Sequence, residues 1–404
     1  MRNLFLFSFL MISLLTSCSS GKQSDESDES DESLPYIDVT KNYSEKEIIL
    51  TDIADITYVH LSTKNKDFIY KGRIDYVTEN TIVACDAISG SVLLFSKNGT
   101  PKSRFNRHGK GPQEYMFMGM AQFKSINQLL YDEKTNEVFV YMGNQSNNIL
   151  QVYSSKGKYL RTIKLPLINT KCFINIFDSQ SFIINGENTF CLISRTNGEV
   201  LDFIDVPNGD ASLIVTEVTH DGLTLNSRME CARMVNGAHG YYLCNPESDT
   251  IFRYNKDKSL TPVLRKTPLV NSLNPKIALD NCLDVGKYQF MRVHTRHATH
   301  HLIGYPGYPD TPKYPDKYYV REKKTGEIFR QKITLPDYKG KEFSIAPIPN
   351  HFFYEKHNRI HFELNLFELK EAYRENKLSG KLKKLVASLN ENEDNNVFMF
   401  VDFK

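Results

Sequence analysis

A run of histidines is the part of the sequence best suited to hold a metal ion. The segment His294–His301 contains His294, His297, His300 and His301. Imidazoles three residues apart can meet on one side of a helix and bind a divalent metal through their nitrogens. Carboxylates often complete or orient such a site, and the segment contains none. We therefore predict an exposed loop here, with a divalent-metal site as the alternative.

The other histidine spacing and the short motifs of enzymes give little support for catalysis. His357 and His361 are four residues apart, so both would face one side of a strand, but they lack the glutamate of a metalloprotease motif. The sequence has no Gly-x-Ser-x-Gly turn, no phosphate-binding loop and no dinucleotide fingerprint. We therefore predict no cofactor and favour a protein without catalytic activity.

The segment Phe105–Tyr115 combines a tight turn with side chains that could bind a ligand. Its sequence is Phe-Asn-Arg-His-Gly-Lys-Gly-Pro-Gln-Glu-Tyr. The two glycines permit a sharply turned backbone, and the proline fixes φ. Arg107, His108 and Glu114 are the candidate binding residues of this segment. A turn with a purely structural role is the alternative.

A second candidate binding segment is rich in tyrosine and proline. The chain has 25 Phe and 22 Tyr but no Trp, which excludes the Trp-containing Asp-box repeat of sialidases and removes the largest stacking platform for sugars. The loop Tyr305–Pro315 could replace it, with Tyr305 and Tyr308 as the candidate contacts. Its four prolines predict a rigid, irregular loop, so a structural insertion is the alternative.

The spacing of the cysteines argues against most metal-binding and redox motifs. Besides Cys18, the chain contains Cys85, Cys172, Cys191, Cys231, Cys244 and Cys282. No two form a Cys-x-x-Cys pair, so the sequence does not support a zinc ribbon or thioredoxin chemistry. Cys231 and Cys244 could bridge a hairpin if the protein is exported. Cys85, Cys172 and Cys191 lie in apolar strand patterns and are predicted to be buried thiols.

The first residues of the chain have the features of an export signal. Arg2 precedes an apolar stretch from Leu4 to Leu15, which is too short to span a membrane. The residues Leu15-Thr16-Ser17-Cys18 resemble the lipobox of bacterial lipoproteins, in which the Cys sulfur receives a diacylglycerol. The resemblance implies a signal peptide at residues 1–17 and a membrane anchor on Cys18. An ordinary secretory signal is the alternative.

The segment 18–44 is predicted to be a disordered tether. A threefold Ser-Asp-Glu repeat runs from Ser24 to Glu32, and it offers no apolar side chain to bury. The repeat is either a spacer or, by resemblance, a signal that sends lipoproteins of some Gram-negative anaerobes to the cell surface. We expect an outer-membrane lipoprotein of the cell envelope, with exposure at the cell surface as a further hypothesis.

The charge of the chain is unevenly distributed. The 404 residues carry a formal net charge of +2, whereas residues 34–404 alone carry about +6 because the Ser-Asp-Glu repeat before them holds six acids. Such a mild surplus gives no concentrated basic face, so we do not expect nucleic acid as a partner.

The hydrophobic pattern of residues 45–404 predicts many short strands. Apolar residues recur with period two between polar turns, which is typical of an all-β fold. One pattern, an apolar strand followed by a tight polar turn, occurs five times, at 92–99, 150–157, 191–198, 251–257 and 318–326. Each copy is predicted to be the outer hairpin of a four-stranded propeller blade. A sixth blade would combine residues 351–354, 360–364 and 397–401, with the early strand 56–61 closing the ring.

A small helical insertion is predicted near the C-terminus. Leu382, Leu385, Val386 and Leu389 have helical spacing, and Ser379 followed by glycine offers a helix start. With residues 366–373 they form a predicted helical pair before the last strand. The pair is either a cap on the ring or a partner-binding surface.

Two stretches resemble a known family. Gly109–Tyr115, together with Leu93–Gly99, resembles the Gly-x-Gly-Pro-x-Glu-Tyr element of a family of six-bladed β-propeller lipoproteins from gut-type Gram-negative anaerobes, related in architecture to NHL-repeat propellers. Leu385–Leu389 and Asp394–Phe398 resemble the closing element of that family. The resemblance covers about residues 45–404 and implies a six-bladed propeller in the cell envelope. It transfers no catalytic residue, because the family has no established activity.

These observations predict a binding protein. We expect a lipid-anchored, non-catalytic propeller whose loop face binds a glycan, a peptide or a partner protein of the envelope. The alternative is a propeller hydrolase, lactonase or lyase with a metal or carboxylate site at the central channel, because such sites leave little trace in a linear sequence.

Overall fold

Short runs of alternating apolar and polar residues recur along the chain, and most of them form β-strands. The structure is a computed structural model that describes residues 34–64, 66–86, 88–115, 126–144, 147–166, 173–186, 189–207, 214–218, 224–228, 233–237, 239–245, 248–295, 315–345 and 358–404. Small antiparallel sheets form the blades of a β-propeller. The predicted all-β propeller is therefore confirmed.

The described chain begins with a segment that belongs to no single blade. It contains β1 (Tyr36–Asp38), β2 (Glu45–Ile49), the short helix α1 (Leu50–Ile53) and β3 (Ala54–His60). Residues 34–44, which the sequence places in the tether, thus include a strand. The turn of α1 lies between buried Leu50 and Ile53 and redirects the chain from β2 into β3.

The first three blades follow in chain order, and each has four antiparallel strands. The first blade consists of β4 (Gly72–Val77), β5 (Thr81–Asp86), β6 (Val92–Ser96) and β7 (Pro101–Phe105). The second consists of β8 (Ile126–Asp132), β9 (Glu137–Asn144), β10 (Asn147–Ser154) and β11 (Tyr159–Lys164). The third consists of β12 (Phe173–Ile176), β13 (Ser181–Asn185), β14 (Phe190–Ser194) and β15 (Val200–Ile204).

A separate hairpin and two further blades follow. The hairpin pairs β16 (Ile214–Val218) with β17 (Thr224–Arg228). The fourth blade consists of β18 (Arg233–Gly237), β19 (Gly240–Cys244), β20 (Thr250–Asn255) and β21 (Leu260–Thr267). After a 3-10 turn at Val270–Ser272, the fifth consists of β22 (Ile277–Val285), β23 (Tyr288–Thr295), β24 (Lys317–Glu322) and β25 (Ile328–Leu335), with β26 (Tyr338–Phe343) paired to β25.

The last sheet joins the two ends of the described chain. It contains β27 (Arg359–Leu364) and β28 (Val397–Phe403), and β28 pairs antiparallel with β3. The predicted closure of the ring by the early strand is confirmed. The predicted number of six blades is corrected to five, because five sheets in the described residues have four strands or more and this closing sheet has three. Its predicted strand 351–354 lies outside the described residues.

The predicted outer hairpins are confirmed in all five places. Each connects the third strand of a blade to its fourth, and the turns after β6, β10, β14 and β24 contain glycines with φ between +73° and +84°. Gly157 shows why glycine is needed there: a Cβ atom on it would lie 2.4 Å from Cβ of Phe105 on the preceding blade. The turns at Gly99, Gly157 and Gly198 therefore pack closely against a neighbouring sheet, whereas nothing lies within 4 Å of the position that a Cβ on Gly326 would take.

The N-terminal segment runs along the outer edges of the last blades. Strand β1 pairs parallel with β21, and β2 pairs parallel with β25. The segment therefore covers the edge strands of the fourth and fifth blades before β3 joins the closing sheet. Covering an edge strand satisfies its free backbone groups and prevents pairing with another chain.

The helical insertion also forms as predicted. Helices α2 (Leu366–Arg374) and α3 (Gly380–Ala387) lie between β27 and β28. Asn365 caps α2 by accepting a hydrogen bond from the amide of Glu368 at 3.1 Å. The pair packs its apolar residues into the core of the last two sheets, which supports the prediction of a cap. None of the helices in the described ranges is long and apolar enough to cross a membrane.

Candidate functional site

The first turns of four blades surround one cleft. The first strands of neighbouring blades contact each other, as β4 does with β8, so they line the central channel. The turns that follow β4, β8, β12 and β18 enclose a cleft of about 380 Å³, which we call the channel-mouth cleft. Its lining includes four carboxylates and three cations: Glu79, Asp132, Glu133, Asp178, Lys134, Arg195 and Lys256.

Arg195 forms the fixed centre of this cleft. Its guanidinium donates from Nη2 to Oδ2 of Asp132 and from Nη1 to the carbonyl oxygen of Asp178 at 2.9 Å. The ring centres of Phe139 and Phe182 lie 5.3 Å and 5.4 Å from it, so the cation contacts two aromatic rings. Burial alone would raise the pKa of Asp132, but bonds from Arg195 and the amide of Lys134 outweigh it and lower that pKa. The carboxylate is therefore ionised and rigidly placed.

The neighbouring carboxylate of Glu133 is held by hydroxyl groups. It accepts hydrogen bonds from Oγ1 of Thr78 at 2.5 Å, Oγ1 of Thr81 at 2.6 Å and Nδ2 of Asn80 at 3.1 Å. Burial opposes ionisation, yet these donors lower the pKa of Glu133 below its ordinary value. The bonds also join the second blade to the first turn of the first blade.

Asp178 and Phe177 form the third side of the cleft. One oxygen of Asp178 accepts bonds from the amides of Gln180 and Ser181, both at 2.7 Å, and from Oγ of Ser181 at 2.8 Å. These bonds lower the pKa of Asp178 against the opposing effect of burial. The half-buried ring of Phe177 lies 6.0 Å from the ring of Tyr241, which also lines the cleft. This side of the cleft thus combines an aromatic surface with hydrogen-bond acceptors whose positions are fixed.

Two lysines at the cleft are differently placed. Lys134 comes from the second blade and Lys256 from the fourth, and both are exposed. Neither forms an ion pair with a residue in the described part of the chain. Their ammonium groups are therefore available to acceptors on a ligand, while the carboxylates around them are already engaged. The arrangement suits reversible binding of a polar molecule.

The predicted residues Arg107, His108 and Glu114 lie elsewhere and support a turn between the first two blades. Nε of Arg107 donates to the carbonyl of Gly157 at 2.7 Å, and His108 forms an isolated parallel β-bridge with Tyr115. Glu114 accepts a hydrogen bond from the amide of Gly111 at 2.8 Å. None of the three predicted residues lines the channel-mouth cleft. A role for them in binding stays a prediction.

Of the predicted metal-binding histidines, His294 alone lies in the described residues. It is buried, and its Nδ1 contacts Oδ1 of Asp316. Oδ2 of the same carboxylate accepts a hydrogen bond from Nε of Arg292 at 2.7 Å. Burial would raise the pKa of Asp316, but the bonds from His294 and Arg292 lower it. The structure contains no group of three His, Cys, Asp or Glu residues that could hold a metal within the ranges it describes.

Several other predicted residues have no described position or a structural one. Outside the described residues lie Cys18, Cys172, Cys231, His297, His300, His301, Tyr305, Tyr308 and His357. The lipid anchor, the tyrosine-rich loop and the bridge between Cys231 and Cys244 therefore stay predictions. His361 stacks on Phe398 with the ring centres 4.8 Å apart. Cys85 and Cys191 are buried as predicted.

The pair of Arg195 and Asp132 was not predicted from the sequence. Arg195 lies in one of the repeated hairpins, and Asp132 ends a strand in the preceding blade, 63 residues earlier. No local pattern connects them. A useful signal would have been an arginine placed where the other hairpins carry lysine or serine, since Arg is the residue of choice for buried ion pairs.

Similarity to solved structures is at the level of the fold. A protein of Bacteroides fragilis that is described as exported has a TM-score of 0.57 and 13% identity, with 90% of this chain and 99% of that chain covered. A functionally unknown protein of Desulfotomaculum acetoxidans has a TM-score of 0.34 and 11% identity, covering 73% and 80% of the two chains. A protein of unknown function from Bacteroides caccae has a TM-score of 0.29 and 9% identity, covering 64% and 80%.

The family of the chain follows from its sequence. None of the curated proteins matches it significantly. A family model described as a domain of unknown function, DUF4934, matches residues 34–402, which covers all the described strands and helices except the last residue of β28. The chain belongs to the DUF4934 family.

Proposed function

We propose that this protein is a lipid-anchored, non-catalytic binding protein of the cell envelope, and that its channel-mouth cleft holds a segment of a glycan or peptide, free or displayed by a partner envelope protein. The observation that carries the proposal is the fixed pair of Arg195 and Asp132 beside the exposed Lys134 and Lys256. Ligand sites are typically concave, with a few polar groups held in place before the ligand arrives.

The protonation of the cleft supports binding over catalysis. A general acid or base works best when its pKa lies near the operating pH. The pKa values of Asp132, Glu133 and Asp178 are all lowered, so these groups stay ionised and act as hydrogen-bond acceptors. Asp75, whose pKa is raised to about 6, is 5% exposed and does not line the cleft. A hydrolase, lactonase or lyase remains the competing function.

The location in the envelope is argued from the N-terminus. Residues 15–18 resemble a lipobox, and the similar protein of Bacteroides fragilis is described as exported. We propose an outer-membrane lipoprotein exposed at the cell surface. Externally added protease should remove it from intact cells, and full protection on intact cells with loss after permeabilisation would place it on the periplasmic side.

A blocked cleft tests the binding function. Ser179 lines the cleft and is exposed, so Ser179→Trp should fill the space without disturbing the core. Full-length protein in a detergent without a sugar headgroup would be screened against arrays of glycans and peptides. We expect a ligand that Ser179→Trp and the double variant Lys134→Ala/Lys256→Ala both fail to bind. Equal binding by wild type and both variants would contradict the cleft as the site, and turnover of the ligand would favour the competing function.

A further inference from the structure

A second cavity lies where the N-terminal segment meets the fifth blade. It measures about 600 Å³, within the range of about 300–1,000 Å³ that is typical of small-molecule sites. One wall is formed by residues 42–45, which lie between β1 and β2, and the other by residues 315–319, Arg330 and Gln331. We call it the seam cavity. It shares no lining residue with the channel-mouth cleft.

We propose that the seam cavity binds a neutral carbohydrate of two or three sugar units. The charge of its lining is balanced, with Glu45 and Asp316 against Lys317 and Arg330. A balanced lining gives no net attraction for a charged ligand. It does supply donors and acceptors of both kinds, and a sugar hydroxyl can both donate and accept.

The polar groups of the cavity are held in place before any ligand binds. The amide of Gln331 bonds both backbone groups of Ile345, each at 3.1 Å. Asp316 is held by Arg292 and His294 below the cavity wall. Nζ of Lys317 donates to Oδ1 of Asn42 at 2.9 Å. A ligand therefore meets a wall that needs little reordering, which lowers the entropic cost of binding.

Aromatic side chains form the rest of the wall. Tyr43, Tyr318 and Tyr319 all line the cavity, and the rings of Tyr43 and Tyr319 meet edge to face at 5.1 Å. Tyrosine combines an apolar ring with a polar hydroxyl, which matches the apolar C–H face and hydroxyl rim of a sugar. Tyr319 is buried and supports Tyr43. Tyr43 on one wall and Tyr318 on the other are only partly buried, so their rings can take the place of the tryptophan that this chain lacks.

The strand pairing argues against a peptide in this cavity. An extended peptide binds best by adding to a free strand edge. At Arg330, however, β25 already pairs with Tyr319 of β24 on one side and with Glu45 of β2 on the other. The backbone beside the cavity is thus satisfied, and recognition must come from side chains. This favours a sugar over a peptide strand.

Binding here would fasten the N-terminal segment to the fifth blade. The segment is held beside the cavity by exposed ion pairs, Glu45 with Arg330 at 2.7 Å and Lys46 with Glu327 at 2.6 Å. Exposed pairs of this kind contribute little to stability and are screened by salt. A sugar that contacts both walls would add bonds across the seam, so occupancy should suppress local opening of residues 41–49.

The test uses three neutral probes and two blocking variants. Maltotriose, cellotriose and triacetylchitotriose would be titrated into the full-length protein in a detergent without a sugar headgroup, with trigalacturonate as the charged comparison. Ser44→Trp fills the seam cavity at an exposed position, and Ser179→Trp fills the channel-mouth cleft. We expect one neutral probe to bind, a loss of at least about tenfold in affinity for Ser44→Trp, and unchanged affinity for Ser179→Trp.

Hydrogen exchange gives a second measurement. The bound probe should slow exchange of the amides of residues 41–49 in wild-type protein and leave them unchanged in Ser44→Trp. Absence of binding by all three neutral probes, or tighter binding of trigalacturonate, would overturn the proposal. Loss of binding in Ser179→Trp in place of Ser44→Trp would also overturn it and would place the sugar in the channel-mouth cleft, in support of the proposed function.

Discussion

Nη2 of Arg195 donates a hydrogen bond to Oδ2 of Asp132 and thereby joins the third blade to the second at the mouth of the channel. Both side chains are about one-tenth exposed or less. Because each is the other's charge partner in a buried place, the pair holds the cleft in one shape. Replacing either residue alone should therefore lower the stability of the protein, because its partner would be left as an unpaired charge in a buried position.

The first prediction concerns this pair. Arg195→Met should lower the free energy of unfolding by about 3 kcal/mol or more, because Asp132 would remain as a buried charge without its partner. The double variant Arg195→Met/Asp132→Asn should recover a large part of that loss. Denaturant unfolding of wild type, Arg195→Met, Asp132→Asn and the double variant measures the coupling. Additive losses would show that the two residues act independently.

The second prediction concerns a carboxyl group in the channel wall. Burial raises the pKa of Asp75 to about 6 from its ordinary 3.8, although the partly exposed Arg73 bonds it at 2.7 Å. The folded protein therefore binds a proton more tightly than the unfolded chain does. The contribution of Asp75 to the free energy of unfolding is therefore greatest below about pH 4. It decreases as the pH rises from about 4 to about 6.

Asp75→Asn should remove this dependence. We expect the variant to be more stable than wild type by up to about 3 kcal/mol at pH 7.5, and nearly equal to it at pH 4. The other charged or titratable groups near Asp75 are Arg73 and the buried thiol of Cys85, whose pKa is raised by burial. The free energy of unfolding of both proteins, measured at pH 4 and at pH 7.5, tests this prediction. A variant that is less stable at pH 7.5 would refute the assignment.

The third prediction compares two glycines in equivalent turns. Gly157 and Gly326 have similar φ values, +78° and +73°, but a Cβ on Gly157 would overlap Phe105, whereas nothing lies within 4 Å of one on Gly326. Gly326→Ala should cost only the strain of positive φ, about 1 kcal/mol. Gly157→Ala should cost about 2 kcal/mol more because two blades must separate. Equal losses in thermal unfolding would mean that the turn does not pack between blades.

The fourth prediction concerns the closure of the ring. Asn395 is buried, and its side-chain amide bonds the carbonyls of Leu61 and Phe68 and the amide of Tyr70 at 2.8–3.1 Å. Asn395→Leu would leave three buried backbone groups unsatisfied, so we expect a loss of about 3 kcal/mol. Exposed Asn392→Leu is the matched control. A small effect at both positions would show that other contacts close the ring.

Much of the fold could be predicted from short sequence patterns. The five hairpins, the helical pair and the buried Cys85 and Cys191 were all predicted, because each depends on residues near one another in the chain. The pairing of β3 with β28 is long-range and was predicted on a different ground, since a ring of blades must join the two ends of its chain. The number of blades was harder to predict, because the predicted sixth blade combined strands that are far apart in the sequence. In the described residues the closing sheet has three strands. The pairing of β1 and β2 with outer blade edges left no local signal either, because parallel pairing depends on strands more than 200 residues away.

The sequence by itself determined the strands, the turns, the helical cap and the class of fold, since these follow from hydrophobic period and from the φ values that glycine allows. Only the tertiary structure decided where chemistry can occur. The channel-mouth cleft brings Asp132 of the second blade to Asp178 and Arg195 of the third, and the seam cavity joins residues 42–45 to Arg330. A propeller places sites between blades, so residues that are close together in a site are far apart in the sequence.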